Sequence, residues 1–212
     1  MNKHAASAVI LGAMLFTTIA NAAAEVSVAS VQQHWAEANY QSEGKARKEA
    51  FETLVSEADQ LVAAEPDHAD AHIWAGIVYS TYAGEVSVFS AGKQVKRARS
   101  ELERALEIDP TAMNGSAYTS LGALLYQIPG FMGGDDEEAE SMLKKGVELN
   151  TDGIDSNYFY GMFLIDQERY DEAMGYLEKA AAAPPRPSRP LADKGRHQEI
   201  DAAMKDLESK RS

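Results

Sequence analysis

No cysteine occurs among the 212 residues, which excludes disulfide staples, thiolate metal sites, a cysteine nucleophile and a lipid-modified N-terminal cysteine. Basic residues are scarce as well: 20 lysines and arginines face 33 aspartates and glutamates, for a formal charge of −13. That sign argues against nucleic acid or an anionic membrane surface as the main partner. Beyond the first 24 residues no apolar run reaches membrane-spanning length. No nucleophile stands beside a base and no strong metal-ligand spacing is present. The sequence is therefore read as non-enzymatic, with no catalytic residue, no cofactor and no resident metal.

Lys3 precedes an uncharged stretch from Ala5 to Ala24 whose most apolar part reads AVILGAMLF, and Ala20-Asn21-Ala22 offers a small-x-small cleavage site. Residues 1–22 are read as a secretory signal peptide, with a second cut possible after Ala24. An uncleaved anchor is the alternative, because a stretch of this length is about enough to span a bilayer. Cleavage leaves one helical domain, residues 25–212, expected to be soluble in the periplasm and not inserted in the membrane.

The most regular stretch is 153–185, GIDSNYFYGMFLIDQERYDEAMGYLEKAAAAPP, in which Tyr160-Gly161, Leu164, Ala173, Leu177, Ala180 and Pro185 carry a repeat pattern. Gly161 and Ala173 are small where two helices cross, and Leu177 fills the gap between them. Asp166 to Arg169 makes a short polar turn, and Pro185 cannot continue the second helix. The unit is a helical hairpin with an uncovered apolar face, so it needs stacked neighbours.

Looser copies supply them. One starts at Ala69, with Ala75-Gly76 and Tyr79 on its first helix, Ala98, Leu102 and Ala105 on its second, and Pro110 beyond. Another uses Tyr118, Leu121-Gly122 and Leu125, then Ala139, Leu143 and Gly146. Ahead of them, a helix from Ser30 to Tyr40, capped by Ser30 and burying Trp35, pairs with a longer one from Ser42 to Ala64. In the longer helix Ala50, Leu54, Ala58 and Leu61 recur at helical spacing and Pro66 ends it. After a turn-rich connection from Arg186 to Pro190, a last helix from about Leu191 to Ser209 places Ile200, Ala203 and Leu207 on one side and serves as a solvating cap.

This spacing resembles the tetratricopeptide repeat (TPR), well from Ala69 to Pro185 and poorly before Pro66. The resemblance implies an all-α stack of about four antiparallel helix pairs plus a C-terminal capping helix, with the first helix of each pair lining a concave surface. Two connections exceed the pattern. Pro66 to Pro110 spans 44 residues, about ten beyond the repeat period, which places an insertion at 83–93; it is read either as a flap folded over a groove or as an extended helix pair. The second, 127–136, is rich in glycine and proline, which disfavours helix. Its context, LGALLYQIPGFMGGDDEEAE followed by NTDGIDSNYFYGMFL, resembles secreted bacterial repeat proteins with a Pro-Gly-aromatic loop before an acidic helix start. That group is similar to the T-component of tripartite ATP-independent periplasmic (TRAP) transporters, which implies a helical partner of a solute-binding protein. Phe131 stands where that group usually has Trp.

On the concave surface the resemblance places Asp155, Tyr158, Met162, Ile165 and Asp166 from the anchor copy. Ser116, Thr119, Ala123 and Tyr126 come from the third copy, and Ile73, Ile77 and Ser80 from the second. An aromatic, Met-containing groove with few charges suits an apolar peptide or a small apolar ligand; the alternative is that the two loops cover it as core. With Phe131 and Met132 on the second loop, the candidate contact set is Tyr126, Phe131, Met132, Asp155, Tyr158, Met162 and Asp166. Gly134 to Glu138 reads as an acidic helix start, with a calcium loop as the weaker alternative. His68 and His72 are spaced for one helix face but lack the rest of a zinc motif, so surface histidines are the simpler reading. Arg186, Arg189, Lys194 and Arg196 either neutralise the end of the anchor repeat or meet an acidic partner or a carboxylate ligand.

The function expected is a periplasmic scaffold that binds a protein or peptide through its concave face and inter-helix loops. A small apolar ligand in a TRAP-type system is the first alternative, and a metal-dependent protein the second.

Overall fold

The computed structural model describes residues 26–211; the signal-peptide expectation falls outside the described residues. Within them the chain forms nine α-helices, one 3-10 turn and no strand.

The first helix, α1 (Val28–Gln41), starts earlier than Ser30. Ser27 is the cap: its hydroxyl accepts from the Ser30 amide at 3.2 Å, while the Ser30 hydroxyl accepts from the Ser27 amide at 2.9 Å. This reciprocal box satisfies two amides that the first turn leaves without partners, and it makes Ser30 the third helical residue. Val31, Trp35 and Ala38 then share the buried face. Helix α2 (Gly44–Ala64) buries Phe51, Leu54, Ala58 and Leu61, so its seam runs through Phe51 and leaves Ala50 half-buried.

Helices α3 (Ala69–Ala83) and α4 (Val88–Ile108) form the second pair, and the connection between them is Gly84 to Ser87. Most of the extra residues of 83–93 therefore lengthen α4, which reaches 21 residues, and no flap forms. The segment from Val88 onward has no proline and keeps an amphipathic period into Val95 and Ala98, so continuing the helix satisfies its backbone without a partner.

Helix α5 (Ala112–Gln127) begins with a left-handed turn, φ being 48° at Met113, 55° at Asn114 and 76° at Gly115. A Cβ on Gly115 would lie 2.7 Å from a Leu149 methyl, so glycine is required there for space as well as for backbone. A 3-10 turn at Gly130–Met132 leads to α6 (Asp136–Leu149). Asp135 caps α6 by accepting from the amides of Glu137 and Glu138 at 3.0 and 2.9 Å, so this acidic stretch serves a helix start. The anchor hairpin is α7 (Ile154–Asp166) and α8 (Tyr170–Ala181), followed by α9 (Pro190–Arg211).

Three pairs close on the same contact. A Cβ on Gly76 would lie 2.6 Å from Leu102 Cγ, one on Gly122 2.7 Å from Leu143 Cγ, and one on Gly161 3.1 Å from Leu177 Cγ. Glycine lets the helices approach until leucine fills the crossing. Around these crossings Tyr79, Ala98, Ala105, Ala139, Ala173 and Ala180 are buried, whereas Pro185 is exposed beyond the end of α8.

Each pair packs on the next, and the first helices α1, α3, α5 and α7 also touch in succession. Helix α9 packs on α7 and α8 through Ile200, Ala203 and Leu207, and its first turns return to α1. The Tyr40 hydroxyl reaches Glu199 at 3.4 Å, and a Cβ on Gly195 would overlap the Tyr40 ring. The last helix is thus more than a solvating cap: it joins the two ends of the stack across its inner side. No helix among the described residues is long and apolar enough to cross a membrane.

Candidate functional site

The inner side holds a groove of about 890 Å³. Its walls are Trp35 of α1, Trp74, Ile77 and Ser80 of α3, Ser116, Thr119 and Ala123 of α5, and Asp155, Tyr158 and Phe159 of α7. The far side is formed by Arg186, Arg189, Arg196 and Glu199, on α9 and the segment leading to it. The left-handed turn at Met113 and Asn114 also borders it; such backbone persists only where the surroundings hold it.

Of the expected contact set, Asp155, Tyr158 and Met132 line the groove. Met162 and Asp166 do not, because the groove uses only the N-terminal half of α7. Met162, two turns past Asp155, packs half-buried against the C-terminal core, and Asp166 is exposed at the helix end. Tyr126 is also off the groove, packed edge-on against Phe163 with ring centroids 5.7 Å apart. Burial pushes its phenol up to about 12. Phe131 is 83% exposed at the loop tip. Ile77 and Ser80 stand where expected, while Ile73 is fully buried. The short α3–α4 turn borders the groove through Ala83 to Glu85, and the α5–α6 connection borders it through Gln127, Ile128 and Met132.

The groove is not poor in charge. Asp155 is gripped by Arg186 Nη1 at 2.6 Å and Arg196 Nε at 2.9 Å, with Arg189 farther off at 4.0 Å. Arg186 is also held by Asp193 at 2.6 Å, and Arg196 by Glu199. The Arg196 guanidinium lies over Tyr158 and Phe159, 4.4 and 4.7 Å from their ring centres. Burial pushes the Asp155 carboxyl up, but the fields of Arg196, Arg186 and Arg189 outweigh it and hold the group well below the usual carboxylate range. Burial pulls all three guanidinium groups down. In Arg196 and Arg186 the carboxylates reverse that and raise them, and only Arg189 stays below its ordinary value. At the opposite end Arg47 pairs with Glu85 at 2.7 Å.

The two groove tryptophans differ. Trp35 donates its indole N–H to Thr81 Oγ1 at 3.1 Å. Trp74, 1% exposed, has no acceptor for its indole N–H, and Arg189 Nε is likewise buried without one.

The expectation of surface histidines at 68 and 72 holds for His68 only. His72 is buried, with Nδ1 2.6 Å from Glu101 and Nε2 2.9 Å from the Pro66 carbonyl, so neither nitrogen is open to a metal. No group of three or more metal-ligating side chains gathers among the described residues. Lys194 is exposed and stands outside the arginine cluster. The arginines, expected either to neutralise the end of the anchor repeat or to meet an acidic partner or carboxylate ligand, converge on Asp155 of the chain itself, at the start of that repeat. Their neighbours Trp74, Asp193 and Glu199 were missed. The available signal was Asp155 itself, a carboxylate on an aromatic helix with three arginines following between 186 and 196.

Residues 154–187 match the family model of the tetratricopeptide repeat. The fold is a TPR-type helix-pair stack. A thermophilic TPR protein from Thermus thermophilus superposes with a TM-score of 0.54 at 17% identity, covering 82% of this chain and 97% of that one. MamA from Desulfovibrio magneticus is similar at a TM-score of 0.46 and 14% identity, with 88% and 96% covered. YrrB, described as a TPR protein with an unusual peptide-binding site, is similar at 0.40 and 20%, with 74% and 77% covered. No curated protein sequence matches the chain at a significant level.

Proposed function

We propose that the protein is a non-enzymatic scaffold that takes a segment of another protein into the groove enclosed by α1, α3, α5, α7 and α9. The observation that carries this reading is the groove's wall. Four successive first helices present aromatic, hydroxyl and small side chains, and α9 fixes their spacing by tying both ends of the stack together. A peptide needs apolar pockets with a few placed polar groups, and such a wall offers both.

Tyr158 and Tyr126 provide the test, because one lines the groove and the other packs outside it. Affinity capture with chemical cross-linking, followed by mass spectrometry, is expected to retain a partner on the wild type and on Tyr126→Phe but lose it on Tyr158→Ala. Equal retention by Tyr158→Ala would argue that the partner sits elsewhere.

A small ligand is the second reading, favoured by the groove volume of about 890 Å³, within the range of small-molecule sites. The resemblance to TRAP T-components supports placing such a ligand in a solute-handling system. Native mass spectrometry of freshly purified protein tests it, through a bound mass released on denaturation. A periplasmic address rests on the N-terminal stretch, and an alkaline phosphatase fusion after Tyr40 is expected to be active; an inactive fusion would place the chain inside the cell.

A further inference from the structure

Trp74 and Arg189 are neighbours in the groove, the guanidinium carbon 4.9 Å from the indole ring centre. Each carries a buried N–H without an acceptor. A buried donor left unsatisfied destabilises the fold, so two side by side on a groove wall are not explained by folding.

The charges around them narrow what is missing. Arg186 is shared between Asp155 and Asp193, and Arg196 between Asp155 and Glu199, all by direct hydrogen bonds. Arg189 has only the 4.0 Å approach to Asp155, whose oxygens are already taken by the other two arginines. One guanidinium fork and one indole donor, 4.9 Å apart at the groove wall, are therefore left without a hydrogen-bond acceptor. A cation would be repelled by that fork. A neutral carbonyl has one oxygen and no charge for it. A carboxylate offers two oxygens and a single negative charge, matching the fork and the indole together. The same groove is lined by Ile77, Leu124 and Met132, which suit an apolar extension of the acid.

We propose that the groove binds the carboxylate of an apolar acid, with Arg189 as the charge partner and the Trp74 indole N–H as the second donor. This rests on the groove being the binding site. The carboxylate comes either from a free acid or from the C-terminal residue of a peptide.

The chain has two tryptophans, so a proton–nitrogen correlation spectrum contains two indole signals, assigned with Trp35→Phe. The probes are sodium hexanoate and hexanamide, and an acetylated Ala-Ala-Val-Leu peptide with a free or an amidated C-terminus. A carboxylate probe is expected to move the Trp74 indole proton downfield and saturably at millimolar concentration, and its amide is not. Arg189→Gln is expected to weaken the Trp74 response about tenfold or more, and Trp74→Phe, which removes that signal, to weaken binding followed by backbone amide shifts by a similar factor, both while keeping the helical circular dichroism of the wild type. A response to hexanoate identifies a free acid as the source, and a response to the peptide acid alone identifies a chain end. The proposal is overturned if neither carboxylate moves the Trp74 signal, or if the amides move it equally. Binding of the amidated peptide to Ser80 and Thr119 without a Trp74 shift would overturn it while leaving the groove as the binding site.

Discussion

Asp155 in α7 and Arg196 in α9 are joined at 2.9 Å across 41 residues of sequence, with Arg186 on the other carboxylate oxygen. This pair connects the anchor repeat to the helix that closes the stack. Removing one partner of a deeply set pair leaves the other uncompensated, at about 3–5 kcal/mol; with 30% of the Asp155 side chain facing the groove, about 3 kcal/mol is the appropriate scale. Asp155→Ala is expected to lower the melting temperature by about 6–12 °C, measured by calorimetry at neutral pH. A fall of a degree or less would mean that packing alone holds α9.

Acid stability follows from the same carboxylate and from Glu140. Hydrogen bonds from Arg169 and Lys144 lower the Glu140 carboxyl from 4.5 to about 2, and Asp155 is also depressed. A group whose folded value lies below its unfolded one stabilises the fold above the unfolded value and loses that contribution as pH falls through the folded one. Urea midpoints are expected to hold above pH 4.5 and drop between about pH 4 and 2. The Asp155→Asn, Glu140→Gln double variant should start lower at neutral pH and show a shallower drop. An unchanged slope in that variant would show that other groups govern acid unfolding.

The glycine crossings are unequal. A Cβ at Gly122 meets the Ala139 carbonyl oxygen at 2.9 Å and the Leu143 amide nitrogen at 3.0 Å, both backbone atoms. At Gly161 the nearest atoms are Leu177 side-chain carbons at 3.1 Å, which have room to shift. Gly122→Ala is expected to destabilise by about 1–3 kcal/mol from overpacking. At Gly161 the higher helix propensity of alanine, about 1 kcal/mol, offsets the strain and leaves the change near zero. Equal losses in urea denaturation would contradict the helix spacing described.

Phe89 is 99% exposed at the start of α4 and forms no lid. Phe89→Ser is expected to change stability by no more than about 0.5 kcal/mol and to leave partner retention unaltered. Weakened capture by this variant would restore the segment 83–93 to a role over the groove.

The last three helix pairs were readable because their signal is local: glycine and leucine recur on opposite helices of each, and one period identifies both. The cap of α1 lies three residues before the expected Ser30 because Ser27 and Ser30 are both good caps, and only the reciprocal bond between them decides. The groove was half readable. Tyr158, Ser80 and Thr119 follow from the repeat register. Tyr126 and Met162 obey the same register yet fall outside, because the groove depth is set by where α9 crosses. That crossing depends on Tyr40 meeting Gly195 and on Asp155 meeting Arg196, contacts between residues far apart in sequence that no periodicity encodes. His72 looked like a surface residue until Glu101, one helix away, supplied its partner.

A photo-crosslinking phenylalanine analogue placed at Ser80, inside the groove, and at Glu178, exposed on α8, separates an occupied inner wall from an inert one in living cells. The analogue at Ser80 should give one discrete adduct that disappears in the Tyr158→Ala background, and the analogue at Glu178 none. Adducts at Glu178 with none at Ser80 would place the working surface on the outside of the stack and contradict the groove as the site of binding.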